Sequence, residues 1–377
     1  VLLAENITTY QLQVTPEKTK NLDQKLTDIQ SIVSMTDEEM EKVREQLKYN
    51  LVFKPLTIKS KLSEKQVAEF AVQKHHYPGF SIEPYLNRKY LYPIEFSHLL
   101  GYVGKINQAE YDRQDPDIYA NNDYFGKTGI EKYYENQLHG TPGQLVTEIN
   151  AQGKQLSQEI KRPPVNGTNL KLTIDLQLQK ASYQALGEET GAAIAVNPQN
   201  GEILAMVSKP GYDTNQFIYG ISQNDYDALT SSNDKPLFDR SIKGGYEPGS
   251  TIKPYIALAG LYHQLITPEF TMFSNGYYQL PKQERRYHDW KQGGHGNVDL
   301  IDSLAESVNV FFYDLAVKLG IDNIHDFLEP FNFGRLTGID ISGEKPGVLP
   351  SRAWKQANRN MVWFPGETVI NQSITSG

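Results

Sequence analysis

Apolar residues at Ile252, Tyr255, Ile256, Ala259 and Leu265 recur at roughly the 3.6-residue period of a helix with one buried face. Pro248 and Gly249 interrupt whatever precedes them, and Pro254 fits a helix only in its first turn, where its missing N–H and its ring do no harm. A helix is therefore predicted to begin at Ser250 or just after it. Upstream, Tyr10–Val14 alternates as a strand stopped by Pro16, and Leu170–Ile174 alternates as a second strand running into an amphipathic helix from about Asp175. Two capping boxes, Thr36 with Glu39 and Ser63 with Gln66, predict helix starts. Apolar runs at Gly191–Val196 and Ile203–Ser208 flank Asn197-Pro198-Gln199-Asn200-Gly201, a hairpin signal because Asn-Gly accepts positive φ. Strands followed by helices in this order predict an α+β fold, with an antiparallel sheet covered by helices.

The predicted helix start carries a candidate chemistry. Residues three apart on a helix share a face, so the Lys253 amine is expected to reach the Ser250 hydroxyl. A serine hydroxyl is a weak nucleophile until a base takes its proton, and Lys253 is the adjacent titratable side chain on that face. Burial and the positive end of the helix dipole both disfavour an ammonium there, so a neutral lysine is expected. Free N–H groups at the helix start would also stabilise an oxyanion. S-x-x-K by itself also describes a capped helix with a surface lysine. A second element adds to it: Ser307 and Asn309 form S-x-N within Asp302–Tyr313.

S-x-x-K followed by S-x-N resembles the signature of the penicillin-recognising serine enzymes, which complete it with K-T-G or K-S-G. The resemblance implies that Ser250 is the nucleophile, Lys253 its base, Ser307 a proton relay and Asn309 the group holding the peptide carbonyl. Within that family the chain is most similar to the class B penicillin-binding proteins. Tyr246–Lys253, Arg286–Gly296 and Trp354–Gly366 look most like the members that serve lateral-wall elongation in rod-shaped bacteria. This implies a mixed α/β pedestal, dimerisation-like and non-catalytic, over residues 1–162. A transpeptidase domain of serine β-lactamase-like fold would occupy 163–377, incomplete or with segments omitted. Arg162-Pro163-Pro164-Val165-Asn166-Gly167 reads as the linker between them.

The implied activity is a D,D-transpeptidase that cross-links peptidoglycan stem peptides through a serine acyl-enzyme and is acylated by β-lactam antibiotics, with no cofactor and no metal. The implied partners are a RodA-like glycan polymerase and an MreC-like scaffold. The implied location is the bacterial inner membrane, reached through an N-terminal helix outside this sequence, with the catalytic domain in the periplasm. Two other readings stand beside it. A serine β-lactamase shares the motifs but needs a deacylating base and has no use for a pedestal; a non-enzymatic activator would act on a polymerase through the pedestal alone.

Lys127-Thr128-Gly129 spells K-T-G, but it precedes Ser250, whereas the family's third motif follows the other two. It is similar to the glycine-rich box of class B pedestals and is read as structural. Thr375, not a lysine, stands directly before Ser376-Gly377, so the third motif is either missing or lies in segments of a longer protein outside this sequence. Between the two catalytic motifs, His288, Asp289 and His295 lie in a glycine-rich loop, which reads either as a zinc site or as a hydrogen-bonded loop beside the active site.

Composition narrows the remaining classes. The 377 residues suffice for two domains, and a net charge of −8 argues against a nucleic-acid partner, which needs clustered cations. The absence of cysteine excludes disulfides, cysteine nucleophiles and thiolate metal sites. No apolar run approaches the roughly 20 residues needed to span a bilayer, and Val1–Asn6 reads as the inside of a domain. The 23 tyrosines and 15 phenylalanines are spread throughout, as packing rather than a base-stacking platform requires.

Overall fold

The computed structural model describes residues 1–50, 52–119, 124–149, 155–218 and 220–370. The chain forms two compact units, Val1–Ser241 and Ile242–Gly377. Among the described residues every strand pairing is antiparallel.

In the first unit the Ala4–Val14 strand is central, between Leu56–Leu62 and Phe80–Tyr90. Its inward residues Leu12 and Val14 are fully buried with Leu26, Ile29 and Val33 of the flanking helical segment and with Phe70 and Phe80. Both predicted capping boxes are present, opening the helices Asp37–Tyr49 and Glu64–Gln73. A third box, Asn107 with Glu110, opens a short helix at Gln108. The K-T-G segment belongs to a tight backbone crossing: a Cβ on Gly101 would lie 2.0 Å from Thr128 O, which leaves glycine as the residue that fits. Beside it Arg88 Nε donates to buried Glu131 at 2.7 Å, and the Gly126 N–H donates to Glu135 at 2.7 Å.

The Asn197–Gly201 hairpin forms as expected, joining Gly191–Val196 to Ile203–Lys209. Asp175 caps the helix Leu176–Ala185, which packs on the second of these strands. Leu170–Ile174 does not enter a ladder. Its ties to Ile203–Lys209 run from the Thr173 hydroxyl to Ile203 O and from Asp175 N–H to Leu204 O, too few to make a paired strand. The first unit extends past the Arg162–Gly167 linker because later residues bond back to earlier ones. Gln179 is clamped to Met206 on both backbone groups and to Glu95 O, and Asn215 exchanges two 3.0 Å hydrogen bonds with the Tyr90 backbone.

The second unit is built on the helix Lys253–Tyr262 and the helical segment Asn309–Leu328, which breaks at Gly320. Ile256 and Ala259 of the first, with Ile252 just before it, share a buried core with Phe311, Phe312, Leu315 and Leu319 of the second. Leu265, expected on the same face, lies beyond the helix end and is partly exposed. At Gly260 the approach is close enough that a Cβ would meet the Leu315 methyls at 2.9 Å. The helix starts are themselves joined, Lys253 Nζ donating to Asn309 Oδ1, and Gly260 meets Leu315 about two turns farther along both, so the two helices run in the same direction with their N-termini together. The short ribbons Met272–Ser274 with Gly296–Val298 and Tyr277–Gln279 with Arg286–His288 flank this pair.

Candidate active site

The sequence from Pro248 dictates the local geometry. Gly249 has a φ of +55°, a left-handed conformation that glycine adopts without cost. It leads into a 3₁₀ turn over Gly249–Ile252 that opens into the helix starting at Lys253, with Pro254 in its first turn. Ser250 is thus exposed at a helix start while Lys253, one turn on, is 3% exposed. The neighbouring helix begins at Asn309, and Ser307 occupies the turn before it with a φ of +52°, rare for a residue with a Cβ.

The four residues singled out from the sequence come together here. Ser307 Oγ and Ser250 Oγ are 2.9 Å apart. Lys253 Nζ donates to Ser307 O at 2.8 Å, to Ser307 Oγ at 3.0 Å and to Asn309 Oδ1 at 2.6 Å. The three-residue spacing predicted a direct bond between Lys253 and Ser250; instead the connection among the described residues runs through the Ser307 hydroxyl. The reason is packing: the aligned helix starts place the Ser307 turn against the lysine, and the amine's bonds are spent there.

Burial brings the Lys253 amine down from its ordinary value to about 8, with Asp289 pulling the other way. Protonation then sets the direction of the hydroxyl chain. An ammonium has three hydrogens for the three acceptors, and the Ser307 hydroxyl is left to donate to Ser250. A neutral amine has two hydrogens and one lone pair. It keeps Ser307 O and Asn309, accepts from Ser307 Oγ, and frees that oxygen to accept the Ser250 proton. The geometry therefore contains a two-step proton path from Ser250 to Lys253, open when the lysine is neutral.

Ser250, Lys253 and Asn309 line an open cleft of about 380 Å³ together with Arg285, Arg286, Tyr287 and His288. Two family models match the chain: a penicillin-binding protein dimerisation domain over residues 1–172 and a penicillin-binding protein transpeptidase domain over residues 191–365. The peptidoglycan D,D-transpeptidase MrdA of Haemophilus influenzae is 40% identical over 98% of this chain and 57% of its own length.

The chain belongs to the penicillin-binding proteins.

MrdA of Acinetobacter baumannii is 36% identical over 100% of this chain and 56% of its own length. The chain thus spans less than three-fifths of these curated relatives. Among solved structures, PBP2 from Helicobacter pylori in a complex with MreC matches with a TM-score of 0.88 at 27% identity, over 100% of this chain and 70% of that one. PBP2 from Pseudomonas aeruginosa in complex with WCK 5153 matches at 42% identity with a TM-score of 0.69, over 78% of this chain and 60% of that one.

The His288–His295 loop contributes hydrogen bonds. The Asp289 carboxylate is buried, accepting from Val310 N–H at 3.0 Å and Trp290 N–H at 2.8 Å, with His295 Nε2 at 3.4 Å. Trp290 Nε1 donates to Glu306 O at 3.0 Å. Asp289 and Trp290 therefore hold the backbone on either side of Ser307. Among the described residues no group of three metal-ligating side chains gathers. The sequence reading weighed Asp289 without seeing this bracket, and it did not single out Arg285, Arg286 or Tyr313, which also line the cleft. Two adjacent arginines just before the His-Asp-Trp run were the signal available. The Ser376-Gly377 stretch weighed for the third motif, within Gln372–Gly377, lies outside the described residues.

Proposed function

We propose that this chain carries the catalytic centre of a peptidoglycan D,D-transpeptidase serving wall elongation, with residues 1–162 as pedestal and 163–377 as part of the catalytic domain. The observation that carries the reading is the Ser250–Ser307–Lys253 chain, 2.9 and 3.0 Å per link, opening on a cleft. Ser250 Oγ attacks the penultimate D-alanine carbonyl of a stem peptide as its proton passes to Ser307 and the Ser307 proton passes to Lys253. Asn309 holds the carbonyl side of the peptide. The C–N bond then breaks, the terminal D-alanine amine regains a proton from Lys253 by the same path, and the acyl group remains on Ser250. The amine of a neighbouring stem takes the acyl group, restoring the serine and forming the cross-link. A β-lactam opens on the same serine, and because its leaving nitrogen stays tethered the adduct persists.

A neighbour solved in a complex with MreC supports an MreC-like scaffold as partner; the family resemblance extends the proposal to a RodA-like glycan polymerase, an inner-membrane anchor preceding the pedestal and a periplasmic catalytic domain. No helix among the described residues is long and apolar enough to cross a membrane. Incubation of the whole protein with a fluorescent penicillin tests the assignment. A stable adduct that is lost in Ser250→Ala is expected; no adduct, or one that survives the substitution, overturns the reading. Rapid release of hydrolysed penicillin would instead point to a β-lactamase, and cell-shape function retained by Ser250→Ala to a non-enzymatic activator.

A further inference from the structure

The cleft is cationic in an acidic chain. The sequence carries a net charge of −8, yet the described residues lining the cleft include Lys253, Arg285 and Arg286 and, among them, no aspartate or glutamate. Walls of one sign concentrate an anion locally whatever the overall charge.

The two arginines are held in place and still have donors to spare. The Arg286 guanidinium lies 4.4 Å from the Tyr277 ring centroid and that of Arg285 5.1 Å from Tyr287. Neither forms an ion pair among the described residues, and both are exposed. A guanidinium resting on an aromatic face keeps its in-plane N–H fork free, the geometry that binds a carboxylate through two parallel hydrogen bonds.

The ribbon that carries Arg286, with Arg285 just before it, packs on the helix that begins at Asn309. Tyr278 pairs with Tyr287 across the ribbon, and both rings lie near Tyr313, at 6.5 and 6.1 Å between centroids. Tyr313 stands one turn along the helix that starts at Asn309. The spacing between the arginines and Ser250 is thus set by packing rather than by a free loop.

From these observations we infer that Arg285 and Arg286 form a carboxylate-binding subsite that selects acidic peptide substrates at the Ser250 cleft. The inference rests on the acyl-transfer reading above and adds a substrate feature to it. The carboxylate can come from the terminal residue that leaves or from a side chain of the acyl donor, and the chemistry of recognition is the same for both.

Three peptide thioesters of one sequence separate these sources in the whole protein: one with an acidic side chain and a carboxylate on the leaving thiol, one with that side chain amidated, and one with the thiol's carboxylate esterified. In each, Ser250 Oγ bonds to the carbonyl carbon, the C–S bond breaks and the thiol departs with the relayed proton. For the fully acidic substrate, Arg286→Gln and the Arg285→Gln/Arg286→Gln pair are expected to lower kcat/KM by about ten- to a hundred-fold, as loss of a charged hydrogen bond does. Arg286→Lys, which keeps the charge but not the fork, should retain part of it. Masking the carboxylate that the arginines bind should remove the difference between the unsubstituted and substituted proteins, and so identify the source. An equal loss with all three substrates, or no loss with any, overturns the subsite. No acyl-enzyme in the unsubstituted protein overturns the acyl-transfer reading instead, and a Tm unchanged by the substitutions separates binding from folding.

Discussion

Lys253 sits where two helix starts converge, with its amine 2.8 and 3.0 Å from Ser307 and 2.6 Å from Asn309. Burial lowers its pKa to about 8, so the fraction able to accept a proton grows as pH rises toward that value. Acylation of Ser250 by penicillin is expected to rise about tenfold per pH unit below this midpoint and to level off above it; a flat profile from pH 6 to 9 would exclude Lys253 as the base. The stability consequence follows from the same shift. The unfolded lysine binds its proton more tightly than the folded one, so this group's contribution favours folding increasingly between about 8 and the ordinary value of 10.5. Asp289 raises the lysine pKa, and Asp289→Asn removes that charge; the acylation midpoint should move to lower pH, which a pH–rate profile reads directly. Ser307 joins function to strain. Its φ of +52° favours glycine, so Ser307→Gly should be about 1 kcal/mol more stable than Ser307→Ala in denaturant unfolding. Both variants should lose about 10²- to 10⁴-fold in acylation if the hydroxyl relays the proton.

At the scale of elements, the gathering of Ser250, Lys253, Ser307 and Asn309 is a consequence of one helix crossing. Gly260 admits Leu315 at a separation that leaves no room for a side chain, and that approach keeps Lys253 level with Asn309. Gly260→Val is expected to destabilise the fold by about 1–3 kcal/mol through overpacking and to slow acylation by spreading the helix starts; unchanged acylation in a folded variant would show that the spacing has another origin. The capping boxes are the contrasting case. Thr36→Ala removes a hydroxyl that accepts from Glu39 N–H at 3.2 Å, far from the cleft in sequence and in a separate compact unit. A loss of about 1 kcal/mol in stability is expected, with the penicillin acylation rate unchanged. Capping boxes and the Asn-Gly hairpin were legible because their bonds close within a few residues. Leu170–Ile174 shows the limit of the same reading: alternation describes a segment able to be a strand, but a ladder needs a partner with free backbone groups in register.

For the molecule as a whole, charge location matters more than the total. The net charge of −8 repels an anionic β-lactam at long range, while the arginines and Lys253 attract it within the cleft. At about 0.1 M ionic strength the screening length is about 10 Å, so the near cations outweigh the distant excess of acids. Second-order acylation by an anionic penicillin should therefore fall as salt is raised, whereas dominance of the overall charge would make it rise.

Ser250, Lys253, Ser307 and Asn309 were all legible from two short motifs, and the helix start at Lys253 from the placement of two prolines and a glycine, because spacing along a helix and allowed φ values are properties of neighbouring residues. The sequence also separated the K-T-G segment before the nucleophile from the motif it imitates, by order alone. What it left open was every relation between segments distant in the chain. That Lys253 bonds Ser307 rather than Ser250, that Asp289 and Trp290 grip the turn between them, and that Arg285 and Arg286 line the same cleft as Ser250 all depend on how two helices and a ribbon pack. Those contacts are made by side chains whose positions no local rule of periodicity or capping determines.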